Sequence, residues 1–421
     1  MTAYQRLLWR LFKIDLNNKD DRNAYYLVFE IFWGSVLGSA ATFAAAFAIR
    51  MGANNVEVGL LTSIPALMAV LVSIPAGQFL ERQPRRTPWV WGSLLAHRTG
   101  FLIAAIAPWI HISGLNPGLL VVLIFSFNSA TAHFFNVGWI PLLADVVSEE
   151  RRAAVFTGRN IVYNATLSLC GFLFGQWLSA IPFPINYQSM FFIGWVSSMV
   201  SMVALYRMEV NETPSLKPDT SQPNTLAGQL RTLRSAFNAN PQFMRITRNT
   251  LLHGIGIWLA SPLYTLYYVR QLDAPDAWLG LNGMVASLGT IVGYTYWRSL
   301  MNHMGEQPTL KRTIVLAGVY PALVGLMPTL TPILLLSALN GLIVPGINLS
   351  HFNTLLRTMP AESRPSYTAV YTTIMNVGAF VCPLISVAIA EVIGIGPALV
   401  LSGVLSIIGS TSFFWWPVVE E

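Results

Sequence analysis

The chain has 421 residues, 54% of them hydrophobic and only 10% charged, with a formal net charge of +6. Soluble domains carry about 25% charged residues, so this composition excludes an ordinary soluble protein and reads as a polytopic membrane chain. The basic residues are not gathered into one patch, which argues against a nucleic-acid partner, and the two cysteines, Cys170 and Cys382, stand in apolar runs with no disulfide or metal spacing.

In chain order, residues 1–23 are charged and lack a small-residue cleavage site, so no signal peptide is read there. Tyr4, Leu7, Leu8, Leu11 and Phe12 share a helical face, with Arg6, Arg10 and Lys13 elsewhere, the pattern of an interfacial helix on anionic lipid. Six spans follow near 24–49, 56–80, 88–110, 117–142, 155–181 and 187–206, forming a first bundle over residues 24–206. Residues 207–242 begin polar and Pro-bearing and then place Leu226, Leu230, Leu233 and Phe237 on one face: a flexible linker leading into a second interfacial helix. Six more spans near 246–269, 277–300, 311–330, 332–356, 367–391 and 395–418 make a second bundle over 243–421. Most hold about 20 largely apolar residues, enough for a hydrocarbon core of roughly 30 Å. With the N-terminus placed in the cytoplasm, 22 of the 25 Lys/Arg fall at cytoplasmic segments or helix ends. Arg50 and Arg270 alone lie outside and Arg98 within a span, so both termini are expected to be cytoplasmic.

The two halves repeat each other. An offset of 212 takes Asn128, Glu150, Arg152, Asn164 and Cys170 to Asn340, Glu362, Arg364, Asn376 and Cys382. An offset of 220 or 221 takes Gly34, Arg50 and Gly59 to Gly254, Arg270 and Gly280. Two parallel copies of one bundle place a substrate at the seam between them.

The second cytoplasmic-side loop reads Gly77-Gln-Phe-Leu-Glu81-Arg82-Gln-Pro84-Arg85-Arg86. A small residue there lets two helices approach, and the acid and bases can form an ion-pair cluster. The loop resembles the signature loop of the major facilitator superfamily (MFS), matching at Gly77, Arg82, Arg85 and Arg86 and departing at Glu81 and Pro84. The equivalent Asn302-His303-Met304-Gly305 keeps the glycine and, on this reading, loses the charges. The resemblance implies an all-α membrane protein with twelve transmembrane helices in two pseudo-symmetric six-helix bundles. It also implies a gating role for Gly77, Glu81, Arg82, Arg85 and Asp145. Arg85 would pair with Asp145, and Glu81 would face the start of the eleventh span near Arg364–Tyr367.

Ionisable groups in apolar spans default to functional hypotheses. Glu30 is the carboxylate deepest in any span, between Tyr26 and Trp33. It reads either as the proton-coupling group or as an interfacial carboxylate paired with a base. Arg98, beside His97, either pairs with Glu30, binds an anionic substrate or anchors a lipid head group. His133 and Asn136 follow Asn128 in the fourth span, while Asn340, Asn348 and His351 lie in the tenth. Asn164 shares a face with Asn160 in the fifth span and Asn376 with Thr372, near Tyr371, in the eleventh. His253 opens the seventh span beside Gly254 and Gly256, a stretch able to bend, and Asn282 sits in the eighth. The family's spans one, four, seven and ten line a cavity, so the resemblance implies that Trp33, Asn128, His133, Asn136, Asn164, His253, Asn282, Asn340, Asn348, His351, Tyr371 and Asn376 frame it. Taken singly, each Asn reads equally as an interhelical hydrogen bond. Gly171 and Gly175 form a small-xxx-small step suited to helix packing, and Pro383 a kink in the eleventh span.

These features together give a secondary active transporter of a small solute, neutral or anionic, working by alternating access. Proton coupling would rest on Glu30. The alternative is a transporter-like membrane sensor or assembly protein without net transport. No nucleotide-binding loop or catalytic motif occurs, so neither an enzyme nor a cofactor is expected. The expected location is a bacterial-type plasma membrane, with the lipid bilayer as partner and protons as the candidate coupling ion.

Overall fold

The computed structural model describes residues 18–210, 240–360 and 364–418, with side chains at all of these except 74, 140, 144, 145, 149–154, 365 and 366. The two amphipathic segments expected on the cytoplasmic side lie outside these residues apart from their edges. Among the described residues every regular element is helical, as expected where a bilayer leaves backbone polar groups no water to bond.

The helices are α1 (Lys19–Ala41), α2 (Ala44–Arg50), α3 (Asn55–Glu81), α4 (Thr87–Ile106), α5 (Pro117–Val146), α6 (Glu149–Ala180) and α7 (Ile185–Tyr206) in the first half. The second half contains α8 (Pro241–Leu266), α9 (Asp276–Met304), α10 (Glu306–Leu326), α11 (Leu330–Arg357), α12 (Arg364–Ile393) and α13 (Ile395–Trp415). The first predicted span is therefore two helices, α1 and α2, interrupted at Thr42–Phe43. Among the described residues ten stretches are long and apolar enough to cross a membrane, and α8 and α9 fall short of that apolarity despite their 26 and 29 residues.

Local sequence explains the boundaries. Asn18, Asn116 and Asn240 cap α1, α5 and α8 by accepting from Asp20 N, Gly118 N and Phe243 N. Asn54 and Glu57 form a reciprocal capping box at the start of α3, at 2.9 and 2.8 Å. Gly305 and Gly394 are the single residues joining α9 to α10 and α12 to α13. Their φ values of 85° and 91° end one helix and start the next, a conformation open to glycine at little cost.

The described residues fall into two compact units. One comprises Met1–Phe47 and Leu71–Pro218, the other Ala48–Val70 and Asp219–Glu421. The division does not follow the sequence repeat, because the end of α2 and the first part of α3 belong with the second-half helices. Within the first unit α1 packs on α7 and α6, and α4 on α5 and α7. Within the second, α8 packs on α13 and α12, and α10 on α11 and α13. These are the same pairings one repeat later, so the repeat read from scattered letters is a repeat of packing.

Apolar clusters stiffen the helix ends. In the first unit Leu27, Leu80, Trp91, Leu94, Trp139, Leu142 and Leu205 are buried together. In the second, Phe243, Ile246, Leu355, Tyr367, Val370 and Val418 form a smaller cluster. Close helix contact in the second unit is set by glycines. A Cβ at Gly256 would meet the Ser406 backbone N at 2.4 Å and Ser402 O at 2.5 Å. The glycine at 256 therefore permits close contact between α8 and α13. Gly171 differs in the other direction: a Cβ there meets nothing within 4 Å, so it is not the packing step its spacing suggested. At Gly77 the nearest neighbour would be Val137 at an ordinary 3.8 Å.

Candidate functional site

Glu30 is the centre of the polar interior of the first unit. It is 5% exposed on α1 and lies between two guanidiniums. Arg98 Nη2 from α4 is 3.4 Å from Oε1, and Arg159 Nη2 from α6 is 3.2 Å from Oε2. Ser201 Oγ on α7 donates to Oε1 at 3.2 Å. Arg98 also donates to Ser198 O at 2.5 Å and to Ser201 Oγ at 2.8 Å. Arg98 therefore makes the pair with Glu30, one of the three roles considered for it. Arg159 is absent from the sequence-derived candidates, because it counts there among the cations at helix ends. Its position ten residues into α6 was the only signal that it lies deeper. Its guanidinium sits over the Trp139 ring at 5.4 Å.

The other first-unit candidates are spread out. Trp33 packs edge-on against Phe32 and tilted against Phe29. His133 is half-buried and Asn136 exposed on α5. Asn164 Nδ2 donates to Asn160 O at 2.8 Å on the exposed face of α6. Asn128 faces the third span: it is 8% exposed, and a Cβ at Gly100 of α4 would lie 2.3 Å from its side chain. His97 Nδ1 is 3.2 Å from Asn128 O. Asn128 also ends an open, mainly apolar groove of about 680 Å³ between α4 and α5, lined by Leu95, Thr99, Gly100 and Phe127. It thus packs between α4 and α5, its backbone carbonyl meeting His97 and its side chain filling the space that Gly100 leaves.

In the second unit polar side chains of three helices, α8, α11 and α12, converge. His351 Nε2 on α11 lies 2.8 Å from Thr250 Oγ1 of α8 and 3.4 Å from Tyr371 OH of α12. His253 turns to the twelfth span, with Nδ1 at 2.9 Å from Ser410 Oγ and 3.1 Å from Ser406 Oγ. It is a buried packing histidine between α8 and α13. Asn282 has a buried Oδ1 without a hydrogen-bond partner among the described residues. Asn340 is half-buried and Asn348 exposed on α11, and Asn376 Nδ2 donates to Thr372 O at 2.9 Å.

Two sets of loop charges follow the repeat. Arg50 donates to Asp276 Oδ1 from Nε and Nη2 at 3.2 and 2.9 Å. Arg270 donates to Asn55 Oδ1 and to Ala53 O. The offsets of 220 and 221 relate Arg50 to Arg270, Asn55 to Asp276 and Ala53 to Ala274. Each repeat therefore sends its arginine to the helix start of the other, and all these residues lie in one unit.

At the opposite helix ends, Glu306 Oε1 accepts from Asn353 Nδ2 at 3.0 Å and Arg357 Nη2 at 3.2 Å. The offset of 221 takes Arg85 to Glu306, and that of 212 takes Asp145 to Arg357. The pair expected between Arg85 and Asp145 thus has a charge-reversed counterpart. The second copy of the signature loop has not lost its charge, as the residues Asn302–Gly305 suggested. The Asp145 side chain itself lies outside the described residues.

Long helices in two copies of one packing pattern, with ion pairs buried among apolar spans, define a polytopic membrane protein of the transporter type. The Major Facilitator Superfamily model matches residues 26–251 and 246–421, and the chain belongs to that family. An uncharacterized MFS-type transporter of Bacillus subtilis (strain 168), YvqJ, is 22% identical over 386 residues, 86% of this chain and 84% of that protein. A mutant form of the nucleoside transporter NupG superposes with a TM-score of 0.69 at 14% identity, covering 94% of this chain and 100% of that one. A POT family transporter in complex with 5-aminolevulinic acid gives 0.69 at 12% identity, covering 95% and 97%. A bacterial homolog to the human lysosomal transporter Spinster gives 0.65 at 12%, covering 94% and 96%. The protein is accordingly a multi-pass membrane transporter of the family, with a small-molecule solute as its cargo.

Proposed function

We propose that this transporter moves its solute by alternating access as a secondary active carrier in a bacterial-type plasma membrane, with both termini cytoplasmic. The observation that carries this reading is the reciprocal tie of Arg50 to Asp276 and of Arg270 to Asn55 and Ala53. Repeat-equivalent ends are held by a few polar contacts that can be made and broken, the kind of element an alternating carrier needs on one side. Glu306 with Arg357 supports the matching role for Arg85 and Asp145 on the other side, with Gly77, Glu81 and Arg82 in the same loop. Glu30, buried and linked to three helices, is the coupling carboxylate. His351, Thr250 and Tyr371 supply hydrogen bonds to a neutral or anionic solute. Trp33, His133, Asn136, Asn164, Asn282, Asn340, Asn348 and Asn376 supply the remaining polar lining.

The test is uptake into proteoliposomes of uridine, alanyl-alanine and 5-aminolevulinic acid, each with and without an inwardly acidifying pH gradient. Uptake of at least one above protein-free liposomes, faster with the gradient and uncoupled from it in Glu30→Gln, is the expected result. Gradient-driven uptake that Glu30→Gln leaves unchanged refutes the coupling role. Ligand binding without flux in any condition refutes transport.

A further inference from the structure

Among the described residues the charges around Glu30 do not balance. Two guanidiniums share one carboxylate, leaving one positive charge in excess, and among the described residues no further acid lies in ion-pair range of the three. The two arginines are not equivalent. Arg98 has a side-chain exposure of 4% and also donates to Ser198 O and Ser201 Oγ. Arg159 is 18% exposed, makes one contact to Glu30 Oε2, and has a buried Nε with no hydrogen-bond partner among the described residues. An unbalanced charge among membrane spans is expensive, and such groups face water-filled paths or take a counter-charge. Arg98 is built in as the structural partner of Glu30, whereas Arg159 is under-used.

We propose that Arg159 is the docking cation for an anionic group of the solute, of the carboxylate or phosphate class, and that Glu30 competes with that group for it. The proposal rests on the transport reading above and narrows its solute to an anion. The chemistry fits. A guanidinium offers a planar fork that pairs with two oxygens at once, and the Trp139 ring, 5.4 Å from its Cζ, adds a cation–π contact. Tyr163, exposed and four residues on along α6, shares the face of Arg159 and can hydrogen-bond the rest of the solute. When the anion takes Arg159, Glu30 keeps Arg98 and Ser201, so the exchange leaves no carboxylate orphaned and brings the cluster to neutrality.

The competition gives a sign that a merely structural triad does not. Thermal unfolding of the purified full-length protein would be followed with sodium benzoate or inorganic phosphate, against sodium chloride at equal ionic strength and against uridine. The wild type is expected to be stabilised by benzoate or phosphate beyond the chloride and uridine controls. Glu30→Gln removes the competitor and should tighten the apparent anion affinity about tenfold, the effect of one charge-assisted contact at its weak end. Arg159→Gln should abolish the anion-specific shift, and Arg159→Lys should keep part of it. An anion response that weakens or is absent in Glu30→Gln overturns the proposal. If Glu30→Gln shows no cooperative transition, wild type and Arg159→Gln decide: a shift retained in Arg159→Gln, or absent from both, overturns it equally. Anion binding intact without any flux would sink the transport reading and leave this site standing. Flux of solutes with no anion effect would sink this proposal alone.

Discussion

Replacing Asp276 by Asn keeps the shape of the Arg50 contact and removes its charge. Asp276 is almost fully buried, with a side-chain exposure of 6%, while Arg50 retains 32%. Breaking a buried pair costs about 3–5 kcal/mol and an exposed one about 0–1 kcal/mol. A half-screened pair with two donors to one oxygen therefore falls at about 1–2 kcal/mol. That is a shift of roughly 5- to 30-fold in the balance between the tied and released states. The readout is the alkylation rate of a cysteine at Ser63, which is fully buried on α3 in the same unit. Cys170 and Cys382 would be replaced by alanine and a membrane-impermeant maleimide used. Labelling should rise by that factor in Asp276→Asn and by a comparable factor in Arg270→Gln. The charge exchange of Arg50→Asp with Asp276→Arg should return it toward the starting rate. Unchanged labelling in both single variants, or no recovery in the exchanged pair, refutes the idea that these contacts hold a conformational state.

Further outcomes follow from the same geometry. Gly256→Ala forces a Cβ to within 2.4 Å of the Ser406 backbone; overpacking of this kind costs about 1–3 kcal/mol, so the apparent unfolding temperature should fall, while Gly171→Ala, with open space around it, should leave it unchanged. Glu306→Arg alone should destabilise the protein or shift its conformational balance. Combined with Arg357→Glu it should recover in the same assay, and no recovery would show that the 3.2 Å contact has no energetic role. His253→Ala leaves Ser406 and Ser410 without a partner across the α8–α13 contact and should cost about 1–3 kcal/mol, read as a lower unfolding temperature without a selective loss of solute binding.

The fold was largely legible because the bilayer imposes one rule everywhere. Long apolar runs must be helices, and Arg and Lys mark one side. Fixed offsets between rare polar residues carried the internal repeat, and the recurring pairs α1–α7 and α8–α13 are its physical content. The site was less legible, because sequence gives the span of a polar residue but not the direction it faces. Asn128 and His253 lie on the expected spans and turn into helix contacts, Asn128 onto Gly100 and His253 onto Ser406 and Ser410. Arg159 was hidden for a different reason: near a helix end, a cation that reaches inward has the same sequence context as one that stays at the surface. The Glu306–Arg357 pair was hidden by its reversed charges, since an acid stands where the first copy has a base.

The most direct test of the account uses Arg50→Cys with Asp276→Cys in the cysteine-free background, reconstituted into liposomes and assayed for uptake of whichever solute the unmodified protein takes up in the liposome screen. Alternating access predicts that a short, reducible bis-methanethiosulfonate crosslink between the two cysteines, spanning the reach of the lost Arg50 side chain, stops gradient-driven uptake and that reduction restores it. Equal uptake in the crosslinked and reduced forms would contradict it.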